Sequence, residues 1–372
     1  MRKGWEYKKL GEVTSFFRGL TYSGKDEVDK SNNIVLRSNN IDLSTNSLNF
    51  DELKFISDSI TIPQDKKLRK NSIFMCMSNG SKQHLGKVAF IEKEYPYAFG
   101  GFMGLIVPNE DKLVPKFTYY YFCSQKFKAY LSAIGNGANI NNIKYIDIAK
   151  DSIPLPPLST QLAIVSELDK INELIRLKKE QLKDFDNLAQ SLFYEMFGDP
   201  VENEKGWEVK KLGDVYKMKS GDSLSTKNFI EGDIPVYGGN GISGYHNQYN
   251  KDGSYIIIGR VGVYCGNARI IKGQFWLTDN AFELFYDKSI QNEVFVCKLL
   301  NLLNLRQYAN AAAQPVISNN TLKHIPIPLP PLSLQRLFAQ RIEQIEREKS
   351  EVQKSIQDLE TLLASRMQYW FE

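Results

Sequence analysis

Gly4-Trp5-Glu6-Tyr7-Lys8-Lys9-Leu10-Gly11-Glu12-Val13 returns as Gly206-Trp207-Glu208-Val209-Lys210-Lys211-Leu212-Gly213-Asp214-Val215, identical at eight of ten positions. A second phrase, Ile153-Pro154-Leu155-Pro156-Pro157-Leu158-Ser159 followed by Gln161, returns as Ile327-Pro328-Leu329-Pro330-Pro331-Leu332-Ser333 followed by Gln335. The first phrase recurs after 202 residues and the second after 174, so the ends of each unit are copied while the middles differ. Repetition on this scale bears on architecture before any local signal does. A constant frame around a variable insert suits one scaffold presenting two different readings of a ligand.

A long helical pattern follows each proline phrase. Proline clears the helix start, and Ser159 or Ser333 is the expected N-cap. The first helix should run from about Gln161 to Phe197 and end at Gly198-Asp199-Pro200. Its seam, at alternating steps of four and three, is Ile164, Leu168, Ile171, Ile175, Lys178, Leu182, Phe185, Ala189, Leu192 and Met196. The matching seam is Phe338, Ile342, Ile345, Lys349, Val352, Ile356, Leu359, Leu363, Arg366 and Trp370. Such heptad seams belong to helices that pair. Two matched seams in one chain favour pairing with each other over pairing with another protein.

Direction follows from chain length. A helix of about 37 residues is roughly 55 Å long. The second insert connects the two helices through short links, yet its radius of gyration is only about 14 Å. Parallel helices need a return path that such an insert cannot span, so the pair should be antiparallel. The expected class is α+β: two mixed α/β lobes separated by a long antiparallel two-helix coiled coil, with a pseudo-two-fold repeat. The lobes should occupy 1–152 and 201–326, and the helical spacers 153–200 and 327–372. Strands are expected at Ser72–Met77, Gly86–Ile91, Tyr255–Gly259 and Ala281–Tyr286, with loops at Ser78–Ser81 and Tyr237–Gly241.

Composition bounds the function. The chain has 372 residues, 42% hydrophobic and 24% charged, with a net charge of +4. No apolar run approaches a membrane span, and no signal peptide is evident at Met1-Arg2-Lys3. The four cysteines lack a CxxC pairing and read as reduced thiols, so a cytoplasmic location is expected. Positive charge is concentrated in the inserts. Residues 1–150 carry 22 Lys/Arg against 15 Asp/Glu, and residues 201–334 carry 14 against 12. Residues 151–200 carry 5 against 9. This distribution fits a polyanion touching the lobes, although a solvated basic surface gives the same count.

Signals for catalysis are weak. His84, His246 and His324 stand far apart in the sequence, so a histidine metal site or triad has little support. There is neither a phosphate-binding GxxxxGK[ST] loop nor a GxGxxG. Asp51-Glu52-Leu53-Lys54 faintly resembles a metal-dependent nuclease pattern, but such clusters are common on surfaces. No catalytic or metal-binding residue is expected. Binding residues are better represented, because Arg reads guanine, Asn and Gln read adenine, and small polar groups serve elsewhere. The first lobe offers Arg37, Asn39, Asn79, Ser81, Lys82, Gln83, His84 and Asn141. The second offers Tyr237, Asn240, Tyr245, Arg260, Arg269, Asn280, Gln314 and Ser318. Many of these lie in Asn-Gly stretches, which are turns in their own right. Trp5 and Trp207, within the copied frame, read as core anchors.

Several of these motifs together resemble the specificity subunits of type I restriction-modification systems. They are the Gly-Trp-Glu-x-Lys-Lys-Leu-Gly opening, the Pro-Leu-Pro-Pro-Leu-x-x-Gln helix start and Phe197-Gly198-Asp199-Pro200. Gly238-Gly239-Asn240-Gly241-Ile242-Ser243-Gly244-Tyr245 with Thr278-Asp279-Asn280-Ala281-Phe282 adds to them, as does Met77-Ser78-Asn79-Gly80-Ser81 with Leu85-Gly86-Lys87-Val88. The resemblance covers essentially the whole chain. It implies two target recognition domains that each read half of a bipartite double-stranded DNA site, with the helices as a ruler. It also implies no cofactor on this chain. Two modification subunits would use S-adenosylmethionine, and restriction subunits recruited through them would use ATP and Mg. The acidic rod residues Glu167, Glu173, Glu180, Asp184, Glu343, Glu346 and Glu351 would then face protein partners or water. A free-standing two-headed DNA-binding regulator is the alternative.

Overall fold

The computed structural model describes residues 4–135, 142–310 and 315–372. The chain divides into two compact units, one of Met1–Lys178 with Ser355–Glu372 and the other of Lys179–Lys354. Two long helices, Leu158–Phe197 and Leu332–Phe371, are each shared by both units.

In the first unit the copied phrases pair with each other. Glu6–Lys9 lies antiparallel to Ser152–Leu155, and the Leu10 N–H donates to the Asp151 carbonyl at 2.8 Å. The insert builds a four-stranded antiparallel sheet in the order Thr14–Arg18, Met103–Pro108, Ser72–Cys76, Val88–Ile91. A second sheet runs Ala98–Phe99, Asn33–Leu36, Lys54–Ile56, Glu27–Val28. Ser72–Cys76 is buried along its whole length. Ile73 and Met75 join the core with the helices, while Phe74 and Cys76 join the core with Leu36, Phe99 and Leu105. Its near-continuous apolar run, Ile73-Phe74-Met75-Cys76, reflects burial on both faces.

The second unit repeats the frame around a different insert. Val209–Lys211 lies antiparallel to Pro326–Pro328, and the Leu212 N–H donates to the Ile325 carbonyl at 2.7 Å. The insert forms one six-stranded sheet in the order Lys217–Ser220, Ala281–Phe285, Lys251–Gly259, Ala268–Leu277, Ile234–Gly238, Gly241–His246. The expected strands are present. The stretch Tyr237–Gly241, expected as a loop, is instead a hairpin that turns at Gly239-Asn240, with a bulge between Val236 and Tyr237. Alternation through Val236 and Tyr237 made this strand signal short, and the glycines masked it.

Both long helices begin one residue before the expected caps, at Leu158 and Leu332. The Pro157 carbonyl accepts from the N–H groups of Thr160 and Gln161, and the Pro331 carbonyl from those of Leu334 and Gln335. Proline lacks a donor but keeps its acceptor, so it starts the helix and the serines fall in the first turn. The first helix ends at Gly198, whose φ of 75° allows its N–H to close onto the Tyr194 carbonyl at 2.8 Å.

A buried glutamine ties each helix start to its unit. Gln161 Oε1 accepts from the Val114 N–H at 2.8 Å, at the start of helix Pro115–Cys123, and Nε2 donates to the Lys112 and Pro156 carbonyls. Gln335 Oε1 accepts from the Asn292 N–H at 2.9 Å, at the start of helix Glu293–Leu302, and Nε2 donates to the Ile290 and Pro330 carbonyls. Both side chains are fully buried.

Every seam position named above is buried or half-buried. In the second unit Asp186 accepts from Lys349 Nζ at 2.7 Å, and Phe197 meets Phe338 edge-on at 5.3 Å. As the first helix advances, its partners on the second recede, so the two segments are antiparallel. In the first unit Glu167 accepts from Arg366 and from Trp370 Nε1, and Phe371 packs on Phe117 at 5.1 Å. The polar seam residues Lys349 and Arg366 are thus paired. Glu167, expected on an outward acidic face, points into this contact instead. Trp5 and Trp207 are half-buried; Trp5 stacks on Trp370, and Trp207 Nε1 donates to the Phe197 carbonyl at 2.8 Å.

Replacing Gln161 or Gln335 by Leu removes the partner of three backbone groups and should cost about 1–3 kcal/mol in a denaturant titration. An unchanged midpoint contradicts the clamp. The hydrogen bond from Arg366 holds the Glu167 carboxyl below its ordinary 4.5. Folding therefore favours the ionised form, and this contribution is present above that pH and lost as the pH falls through the depressed value. Glu167→Gln should flatten the acid limb of stability measured from about pH 7 to about pH 3.

Candidate nucleic-acid interface

In the first unit, strand ends and turns bring four segments together. Asn79 Nδ2 donates to Ser38 Oγ at 3.0 Å, joining the 77–84 loop to the Arg37–Asn40 turn. The Gly100 N–H donates to the Leu36 carbonyl, and the Leu20 N–H to the Phe99 carbonyl. A Cβ on Gly19 would lie 2.0 Å from the Gly100 oxygen, so only glycine permits this approach. The N–H groups of Met77 and Ser78 both donate to the Phe102 carbonyl. Beneath the loop, Lys87 is buried and donates to the Ile41 carbonyl at 2.9 Å, and burial lowers its pKa.

The expected residues of this unit serve different ends. Arg37 stands at the junction with its Nε buried and without a partner among the described residues. His84 Nδ1 is likewise buried without a partner among the described residues. Ser81 and Gln83 are exposed, and the Ser81 N–H donates to Asn79 Oδ1. Asn39 is tied to Glu52. Its neighbour Asn40 is structural: it is buried, accepts from the Arg37 N–H at 2.8 Å and donates to the Asn49 and Glu52 carbonyls. In the Asp51–Lys54 cluster, Lys54 pairs with Glu27 and Glu52 accepts from Asn39.

In the second unit the Gly239-Asn240 turn abuts the loop after strand Lys251–Gly259. A Cβ on Gly239 would lie 2.3 Å from the Val261 oxygen and 3.0 Å from the Asn280 oxygen. The Arg260 N–H donates to the Asn280 carbonyl, and the Arg260 carbonyl accepts from Ile317. The Arg260 guanidinium lies 5.5 Å from the Phe282 ring centre, with Nη1 3.4 Å from Ser220 Oγ and Nε unpartnered. Arg269 Nη1, also unpartnered, lies beside Gly241. Asn240, Arg260, Arg269 and Asn280 therefore converge, and Asn240 and Asn280 are exposed. Tyr245 is 54% exposed on the outer hairpin strand.

Two expected site residues have structural duties instead. Tyr237 packs edge-on against Phe275 at 5.5 Å within the sheet. Ser318 caps the Asn319–Leu322 turn, its Oγ accepting from the Thr321 N–H. His246 is also structural, its Nδ1 accepting from Ile230. Asn141, Gln314 and the side chain of Lys82 lie outside the described residues. The reading missed the exposed apolar tips Phe102, Val263 and Tyr264, which sit beside glycines in Gly100-Gly101-Phe102 and Gly262-Val263-Tyr264.

Five buried side-chain polar atoms lack a partner among the described residues, and four belong to Arg37, His84, Arg260 and Arg269. Buried polar groups are normally satisfied, and each exception needs a reason. Here the atoms belong to half-buried side chains at or beside loop junctions, where the rest of each side chain has surface to offer a ligand with acceptor atoms. No group of three or more His, Cys, Asp or Glu among the described residues is arranged to hold a metal ion.

A family model for the type I restriction modification DNA specificity domain matches residues 2–184 and 204–361. The chain is 32% identical over 195 residues to the EcoprrI type I restriction enzyme specificity subunit of Escherichia coli, covering 50% of this chain and 48% of that one. It is 24% identical over 411 residues to the StySPI specificity subunit of Salmonella potsdam, covering 98% and 87%. The chain spans about half the length of the E. coli relatives it matches. In fold it is similar to the type I restriction-modification S subunit of M. genitalium, with a TM-score of 0.57 at 17% identity over 99% of this chain and 96% of that one.

The two kinds of polar residue separate in a stability experiment. Arg37→Met removes an unpartnered buried donor and should leave the thermal midpoint unchanged or higher. Asn40→Ala breaks three hydrogen bonds and should cost about 1–3 kcal/mol. Equal losses from both contradict the assignment of Arg37 to a ligand.

Proposed function

The chain belongs to the type I restriction modification DNA specificity family, and we propose that it reads a bipartite, asymmetric double-stranded DNA site. Each unit reads one half-site. Arg37, Asn79 and His84 serve the first, and Asn240, Arg260, Arg269 and Asn280 the second. Arginine matches the paired acceptors of guanine, and asparagine the donor–acceptor pair of adenine. The single observation behind this reading is the gathering at these loops of half-buried arginine and histidine side chains with nitrogens that lack a partner among the described residues.

The two long helices act as an antiparallel coiled-coil ruler between target recognition domains related by a pseudo-two-fold axis. Support comes from seams that are buried or half-buried at every position and from the same glutamine clamp in both frames. The chain performs no chemistry of its own. It recruits two modification subunits, which use S-adenosylmethionine, and through them restriction subunits that use ATP and Mg. Unlike inserts in like frames account for an asymmetric target.

Mapping methylated adenines in DNA modified by the assembled complex tests this. Two modified positions in unlike half-sites, about one helical turn apart, are expected. A single contiguous site overturns the proposal. Inserting one heptad at matched points of both helices lengthens the ruler by roughly 10 Å. The half-site spacing should then grow by about three base pairs, and an unchanged spacing contradicts the ruler. Arg260→Ala should weaken binding and relax selectivity at one base pair by about 1–3 kcal/mol, read by competition between duplexes.

A further inference from the structure

Phe102 is 73% exposed, the highest exposure of any large apolar side chain among the described residues. Scattered exposed hydrophobics need no explanation, but the backbone here does. The Met103 N–H donates to the Gly100 carbonyl at 2.8 Å, closing a turn with Gly101 and Phe102 at its centre. That turn is pinned on three sides. Leu36 holds Gly100, Gly19 donates to the Met103 carbonyl, and Met77 and Ser78 both donate to the Phe102 carbonyl. A Cβ on Gly100 would lie 3.7 Å from Arg37 Cγ, and one on Gly101 would lie 3.1 Å from Thr21 Oγ1. A rigid, glycine-flanked turn thus holds a phenyl ring in water between Arg37, whose Nε is unpartnered, and the Asn79 loop.

We propose that Phe102 is a wedge that inserts between adjacent base pairs of the first half-site, an inference that rests on the DNA-reading role above. Apolar wedges unstack a base step and bend the duplex around the protein. The pinned backbone means that little conformational freedom is lost on insertion. Arg37 and Asn79 are placed to read the pairs on either side of the opened step. The second unit also carries an exposed apolar pair, Val263 at 59% and Tyr264 at 52%, in the loop that follows Arg260.

The test uses the full chain assembled with its methyltransferase partners and duplexes carrying the site mapped by methylation. In these, 2-aminopurine replaces each purine of the first half-site in turn. The modified adenine is excluded, because its extrusion would brighten the same probe. Wild type should raise the fluorescence at one base step. Phe102→Ala should abolish that rise and weaken binding about tenfold, with an unchanged thermal midpoint. Phe102→Leu should restore most of both. A rise that survives in Phe102→Ala overturns the wedge. So does the lack of any responsive step when wild type binds its site specifically, and in either case the DNA-reading role stands. If wild type fails to distinguish the mapped site from a scrambled duplex, the DNA-reading role itself fails and the wedge falls with it.

Discussion

The structure depends on a buried amide placed twice. Gln161 and Gln335 stand one turn into the long helices, fully buried, each making the same three hydrogen bonds. Each amide fixes the angle at which a helix leaves its unit, because it bonds the start of a shorter helix and the proline turn together. A buried amide with all partners in place is rigid; one with partners missing is costly. The proline phrase supplies carbonyls at the right depth, and the tryptophan phrase closes the sheet edge beside them. This explains why the two phrases are copied together while the text between them is free to change.

The inserts follow the opposite rule. Their cores are conventional: Phe74, Phe99 and Leu105 in the first unit, Ile257, Phe275 and Leu277 in the second. At the loop ends, however, arginine and histidine nitrogens are buried without partners, beside glycines packed so closely that a Cβ would collide. Natural proteins break polar satisfaction mostly where a ligand completes it. Frame and insert thus divide the work. One is satisfied and constant, while the other is unsatisfied and variable.

Much of this was legible in the sequence because periodicity and repetition are local signals. The seams from Ile164 to Met196 and from Phe338 to Trp370 predicted coverage at every position, and the structure shows it. The expected caps Ser159 and Ser333 fall inside the helices, which begin at Leu158 and Leu332, because serine looks like a cap whereas a proline carbonyl serves equally well. Glu167 was read as outward-facing because sequence alone does not show that Arg366, nearly 200 residues later, comes to meet it. The site was harder to read. Asn39, Asn40, Tyr237 and Ser318 are residue types that bind DNA and also build turns, sheets and caps, and only contacts separate the two uses. Phe102 was overlooked because an isolated phenylalanine reads as core unless the turn that exposes it is known.

On the function proposed above, two like frames carry independent DNA-reading inserts. The most direct measurement is the methylation map of a chain that carries residues 14–151 in both frames, replacing residues 216–325. With the pseudo-two-fold frame proposed above, two copies of one insert should recognise an inverted repeat of the first half-site. A modified site that still contains the second half-site, or that repeats the first in the same orientation, would contradict the account.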